Sequence, residues 1–228
     1  MNRLVFLLFF VPYMLLSQTN FEKGVQFMGS GKTELARIAF ENVLKENPSH
    51  TRSLEYLGDI AGQNKNWDKA IVYYKKIKQL QPNNAEYHYK YGGALGMKAK
   101  TVNKFKALGM IDEIKSSFEK AVTLDPKHKE SRWALVVLYL ELPGIIGGSE
   151  TKAVAYSNEL MRLSPQEGYL SKGYIDEYFG RNKKAELNYT KAFELSNSKI
   201  AFQKLYNLYA YKLKNSEKAQ QLKEQFEK

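Results

Sequence analysis

The chain of 228 residues contains no cysteine, six prolines, fifteen glycines and three histidines. Without cysteine there is no disulfide framework, no Cys-type zinc site, no thiol nucleophile and no bacterial lipid-anchor cysteine. His50, His88 and His128 are too scattered for a multi-histidine metal centre, and no metal or cofactor is expected. No Ser-His-Asp spacing supports nucleophilic catalysis, and the adjacent acids Asp112-Glu113 and Asp176-Glu177 point in different directions on a helix. They are expected to be solvated, and the chain is expected not to be an enzyme. Low Pro plus Gly with about a quarter of residues charged describes an ordered globular chain. Its length is sufficient for a core without covalent staples.

Long apolar runs are also missing, except at the start. Arg3 precedes an apolar run from Leu4 to Leu16, and Ser17 leads into the polar Gln18, Thr19 and Asn20. A positive end, a short apolar stretch and a small residue read as a secretory signal peptide over 1–17, cleaved after Ser17. A signal anchor in the inner membrane is the alternative. The run is short for a spanning helix, which needs roughly 20 apolar residues. The remainder, 18–228, has no segment of transmembrane length and carries 34 basic against 24 acidic residues, a net +10. An exported chain of this charge is drawn to anionic surfaces.

What the chain does have is a period. Pro48, Pro82, Pro126 and Pro165 recur at spacings of 34, 44 and 39. Ala36 and Ala70 stand twelve residues before the first two, and Phe40 and Tyr74 eight before. Gly24 and Gly58 stand upstream as chain-reversal partners. The second unit is the clearest, with Leu54, Leu57-Gly58, Ala61, Ala70, Tyr74, Ile77 and Pro82. Unit three has Tyr91-Gly92, Phe118, Ala121 and Pro126; unit four has Trp133, Ala153, Leu160 and Pro165. Unit five has Gly173, Ala185, Tyr189 and Ala192, with Asn197 in place of proline, and unit six has Ala219 and Phe226. The apolar spacing from Ala70 to Ile77 is helical, and no stretch reads as a β-hairpin.

This pattern resembles the tetratricopeptide repeat. The resemblance implies an all-α, right-handed solenoid of about six helix-turn-helix units, near 18–50, 51–84, 85–128, 129–165, 166–199 and 200–228. Small Gly58 and Ala70 are expected to let helix backbones approach, and Leu57 and Tyr74 to fill the space between units. Each proline ends a second helix. Two insertions, near 96–111 and 142–149, fall between the first and second helices of units three and four and are expected on one edge.

The resemblance further implies a non-enzymatic scaffold that binds a peptide or protein element in a concave groove lined by first helices. Carried over position by position, the groove includes Phe21 and Met28; Arg52, Glu55 and Asp59; Tyr89 and Met97; Tyr174 and Tyr178; Lys204 and Tyr211. Members that clamp a terminal carboxylate use Lys and Asn where this chain has Phe21, Val25, Tyr89 and Gly93, so that clamp is not implied. With the leader, the expectation is a periplasmic or envelope-associated scaffold. The alternatives are a peripheral protein binding anionic lipid or polysaccharide through its basic face, or an accessory subunit of a transport or secretion complex. Nucleic acid is a poor partner for an exported chain.

Three local segments have rival readings. Gly29-Ser30-Gly31-Lys32-Thr33 suggests a phosphate loop, but Gln26 stands where the motif needs glycine and no strand precedes it, so a turn is expected. Lys98, Lys100, Lys104 and Lys106 in the first insertion read as a solvated extension or as an anionic-surface contact. In the second insertion Pro143 should stop a helix and Ser149 should cap the next. Gly147, Gly148 and Ser149 are either a structural loop or an anion nest.

Overall fold

The computed structural model describes residues 19–227, so the leader and its cleavage lie outside the described residues. The described residues form helices and no strand. They are α1 (Asn20–Gly29), α2 (Thr33–Glu46), α3 (Thr51–Gln63), α4 (Trp67–Leu80), α5 (Ala85–Ala99), α6 (Lys104–Leu108) and α7 (Ile111–Leu124). After them come α8 (Lys129–Glu141), a 3-10 turn (Gly144–Ile146), α9 (Glu150–Leu163), α10 (Pro165–Tyr178), α11 (Asn182–Ser196) and α12 (Lys199–Asn207). A π-helical stretch (Leu208–Lys212) and α13 (Ser216–Phe226) close the chain. Pairs α1/α2, α3/α4, α5/α7, α8/α9, α10/α11 and α12/α13 pack together and stack on their neighbours, an all-α solenoid.

Local chemistry sets the helix ends. Asn47, Gln81 and Asp125, each before a proline, leave the helical region, which terminates α2, α4 and α7. Further on, past each proline, His50, Asn84 and His128 cap the next helix through their side chains. At the fourth junction the turn is missing. Ser164 ends α9 and caps α10 at once, with Pro165 in the first turn of α10.

Within a unit the helices approach because a ring lies on a glycine. A Cβ on Gly58 would stand 2.4 Å from the Tyr74 ring, one on Gly24 2.5 Å from Phe40, and one on Gly173 2.4 Å from Tyr189. Tyr74 therefore fills space inside its own unit rather than between units, a correction to the sequence expectation. In unit three, Gly92 faces Phe118 and Ser117 in the same way across the longer connection. Unit four has Val136 and Ser157 at the two equivalent positions, a larger residue on the first helix with a smaller one on the second, both fully buried.

Buried tyrosines complete the packing by donating to carboxylates: Tyr74 to Asp59 (2.6 Å), Tyr91 to Glu113 (2.6 Å), Tyr139 to Glu119 (3.1 Å) and Tyr189 to Glu177 (2.8 Å). Glu113 and Glu177 are thus ring acceptors, and Asp176 holds Arg181 and Asn188, so these acids are not merely solvated. The apolar core runs the length of the stack, and Trp133 packs against both its central and its C-terminal clusters.

Gly92 and Gly93 are neighbours with opposite surroundings. A Cβ on Gly92 would meet Ser117 Cβ at 2.9 Å, whereas one on Gly93 meets nothing within 4 Å. Gly92→Ala is expected to destabilise by about 1–3 kcal/mol through overpacking. Gly93→Ala is expected to stabilise by about 0.5–1 kcal/mol through helix propensity. Urea unfolding of the two variants beside the parent checks both signs.

Candidate functional site

A concavity of about 920 Å³ lies between α5 and α8. Helix α5 contributes Tyr89, Gly93, Gly96 and Met97, a single face at i, i+4, i+7 and i+8. Helix α8 contributes Glu130, Trp133, Ala134, Val137, Leu138 and Glu141 on the matching face. Ile114 and Phe118 of α7 form part of the floor, and both insertions supply walls: Lys104, Ala107 and Leu108 from α6, then Pro143, Ile145 and Ile146. The two insertions therefore do emerge on one side, and they flank the same groove.

The groove exists because side-chain volume is missing from α5. A Cβ on Gly96 would find only Ile114 Cγ2, at 4.0 Å, and one on Gly93 would find open space. Trp133 and Tyr89 frame the floor. The Trp133 indole N–H donates to Glu167, and Tyr89 lies 6.0 Å from the Phe118 ring and 5.2 Å from His128. Burial raises the Tyr89 phenol above its usual range, with Glu86 and Glu130 adding to the shift, so it stays a neutral donor.

The first-helix residues expected from the sequence divide into three groups. Tyr89 and Met97 line the groove. Tyr174 continues the same surface beyond it: its ring is 6.2 Å from Trp133, and Lys204 Nζ sits 4.9 Å from its centroid. Tyr178 and Tyr211 are exposed further along, Tyr178 edge-on to Phe179. The remaining group is engaged internally. Phe21 packs on Phe40 and His50 with Arg52 over its ring, and Met28 joins the same cluster. Glu55 and Asp59 both hold Lys90 at 2.8 Å. Gly93 stands at a groove position by the family's register, whereas Gly96 and Val137 were not among the expected groove residues, although three glycines in one helix, at 92, 93 and 96, are a visible anomaly in the sequence.

The lysines of the first insertion are not one patch. Lys98 pairs with Asp68 (2.7 Å) and Lys100 with Glu141 (2.9 Å). Lys104 and Lys106, on either side of an exposed Phe105, make no ion pair among the described residues. In the second insertion the anion nest does not form. The Gly147 N–H donates to Gly144 O, the Gly148 N–H to Pro143 O and the Ser149 N–H to Tyr139 O, so none is left for an anion. Gly147 is needed for its left-handed φ of 101°, and a Cβ on Gly148 would sit 1.8 Å from Leu142 O. Ser149 caps α9 as expected. Likewise Gly29 to Thr33 is the turn between α1 and α2.

His128 is buried. Its Nδ1 accepts from the Ser131 N–H, which puts the ring proton on Nε2, 3.1 Å from Glu86. Among the described residues no group of three or more His, Asp or Glu is placed to hold a metal.

Two family models for the tetratricopeptide repeat match residues 21–94 and 105–128. This chain is a tetratricopeptide repeat protein. Its fold is shared with TTC0263, a thermophilic TPR protein in Thermus thermophilus, at 19% identity over 85% of this chain and 98% of that one, TM-score 0.67. PilW, a type IV pilus biogenesis factor, is 17% identical over 90% of each chain, TM-score 0.68. YrrB, a TPR protein with an unusual peptide-binding site, is 14% identical over 81% of this chain and 89% of that one, TM-score 0.56. At these identities the likeness is one of fold. No curated protein sequence matches significantly.

In this TPR protein the Glu55, Asp59 and Lys90 group joins the second unit to the third. Burial lowers the Lys90 ammonium, but hydrogen bonds to Asp59 and Glu55 outweigh it and leave Lys90 above its ordinary value. Burial raises Tyr74 well above the phenol range, and its bond to Asp59 adds to that. Both groups bind protons more tightly when folded. Their contribution to stability is complete below the unfolded values, about 10, and is lost as pH rises through the folded ones. Unfolding free energy is therefore expected to fall above about pH 10. At pH 7, Lys90→Met is expected to cost about 1–3 kcal/mol, since it leaves two carboxylates facing each other. Urea titrations followed by circular dichroism at pH 7 and across the alkaline range check both.

Proposed function

We propose that this TPR protein is a non-enzymatic scaffold of the cell envelope that binds a protein or peptide element in the groove between α5 and α8. The observation that carries the reading is the pair Gly93 and Gly96. A glycine inside a helix costs about 0.5–1 kcal/mol relative to alanine, and neither position is crowded enough to require it. Helix stability is given up there and open apolar volume results. A concave, mostly apolar site of about 300–1,000 Å³ is the usual form of a binding pocket. The envelope assignment rests on the Arg3, Leu4–Leu16, Ser17 leader. Tyr174, Tyr178, Lys204 and Tyr211 would extend the site along α10 and the last unit, with tyrosines as rigid anchors.

The rival is a peripheral protein held on anionic envelope lipid or polysaccharide. The observation in its favour is Phe105, 86% exposed between two unpaired lysines. A role as an accessory subunit of a transport or secretion complex is compatible with the scaffold reading.

A photo-reactive residue placed at Met97 is expected to form a protein adduct in native cells, whereas one at Leu187, exposed on α11, is not. Gly93→Leu, which adds bulk to open space, should reduce the Met97 adduct at least about tenfold, equivalent to about 1.4 kcal/mol. An adduct of equal yield in the filled variant would rule the groove out.

A further inference from the structure

The groove limits the chemistry of what fits in it. Its walls are carbon-rich, and the helices that form them satisfy their own backbone groups. An extended segment pressed into such walls would bury N–H and C=O groups without partners, each at a cost of about 1–3 kcal/mol. A helix brings its backbone bonds already made. A helix about 10 Å across with a pitch of about 5.4 Å fills roughly 420 Å³ per turn. The groove's 920 Å³ therefore accommodates about two turns, or one face of a longer helix.

Charge narrows the choice further. Glu141 and Lys100 neutralise each other at the end of the groove where α6 begins, and Lys104 in the wall and Lys106 beyond it stand unpaired among the described residues. The uncompensated charge at that end is positive. Phe105, beyond the groove, and Ile145, 96% exposed on its wall, add apolar contact from the two insertions.

We infer that the groove takes the apolar face of an acidic amphipathic helix presented by the partner protein, with its carboxylates at the α6 end beside Lys104 and Lys106. This rests on the groove being the binding site. The chain's own apolar leader is the wrong occupant, because Leu4–Leu16 brings Arg3 and no acid.

The test uses Trp133 as reporter. The chain has two tryptophans, and Trp67→Phe leaves only the one in the groove wall. The probe is a synthetic helix of about fourteen residues, near the length where isolated helices become marginally stable. It carries leucine at i, i+3, i+4 and i+7 and glutamate on its other faces. Comparison probes are the isomer with lysine for glutamate, the acidic sequence broken by a central proline, and phosphatidylglycerol vesicles.

The acidic helix is expected to shift Trp133 emission to the blue and to bind at least about tenfold tighter than the lysine isomer, a gap that narrows as salt rises. Lys104→Glu with Lys106→Glu should reverse that preference. Gly93→Leu should abolish binding while the helical circular dichroism is unchanged. Equal binding of the lysine isomer overturns the proposal, as does equal binding of the proline-broken peptide, and so does binding of vesicles without binding of the helix. Failure of this inference is distinct from failure of the scaffold reading. Here the Met97 adduct would still depend on an open groove, yet the acidic helix would not compete for it.

Discussion

A ring lying on a glycine sets the distance between the two helices of a unit, and the solenoid depends on that distance. Gly24 under Phe40, Gly58 under Tyr74 and Gly173 under Tyr189 repeat one solution at one separation of sixteen residues. A methyl group at any of these glycines would overlap the ring, so helix spacing is fixed sterically rather than by propensity. The ring hydroxyl, where there is one, reaches past the glycine to a carboxylate on the partner helix, as Tyr74 does to Asp59 and Tyr189 to Glu177. The same side chain thus sets both distance and rotation. Unit three keeps the contact although its inter-helix connection is longer, because the pairing belongs to the helix faces and not to the loop.

Against that background the other glycines of α5 stand out. Gly92 is crowded by Ser117 and Phe118, and Gly93 and Gly96 are not. Sequence alone makes the three look alike. Only the facing helices separate a glycine that permits close packing from one that withholds volume. The withheld volume lies between α5 and α8, flanked by the two insertions, and this places the groove in the middle of the stack.

Much of this was legible in the sequence. The proline spacing, the alanines twelve residues earlier and the helical apolar period gave the solenoid its repeat. The excess length between prolines located both insertions. Tyr89 and Met97, which line the concavity, came from the family's groove positions carried onto this chain's register. What the period could not supply was side-chain pairing across distances of about thirty residues. Glu55 and Asp59 stand at groove positions by count, but Lys90 of the next unit claims them both. The nest at Gly147 to Ser149 failed for a related reason. Consecutive N–H groups suggest an anion site only when nothing else accepts from them, and here the chain doubles back so that Tyr139 O accepts from Ser149. Composition cannot reveal where a carbonyl will be.

The placement of the insertions has a topological reason. In a solenoid each unit touches only its neighbours, so added chain at a loop leaves the stack intact. Two additions at the same junction of successive units must then face each other across one inter-unit seam; additions at different junctions, or two units apart, would build no common wall. The two walls differ in how firmly they are held. The second insertion is tied down at both ends of its turn by backbone bonds to Tyr139 O, Pro143 O and Gly144 O. Helix α6 has no buried residue and is a single short helix resting on α5. Few buried contacts mean a low free energy of local opening. The wall that carries Lys104 is therefore the one with the lower cost of local opening, whereas the Gly144–Ile146 turn is held to the end of α8 by its backbone bonds.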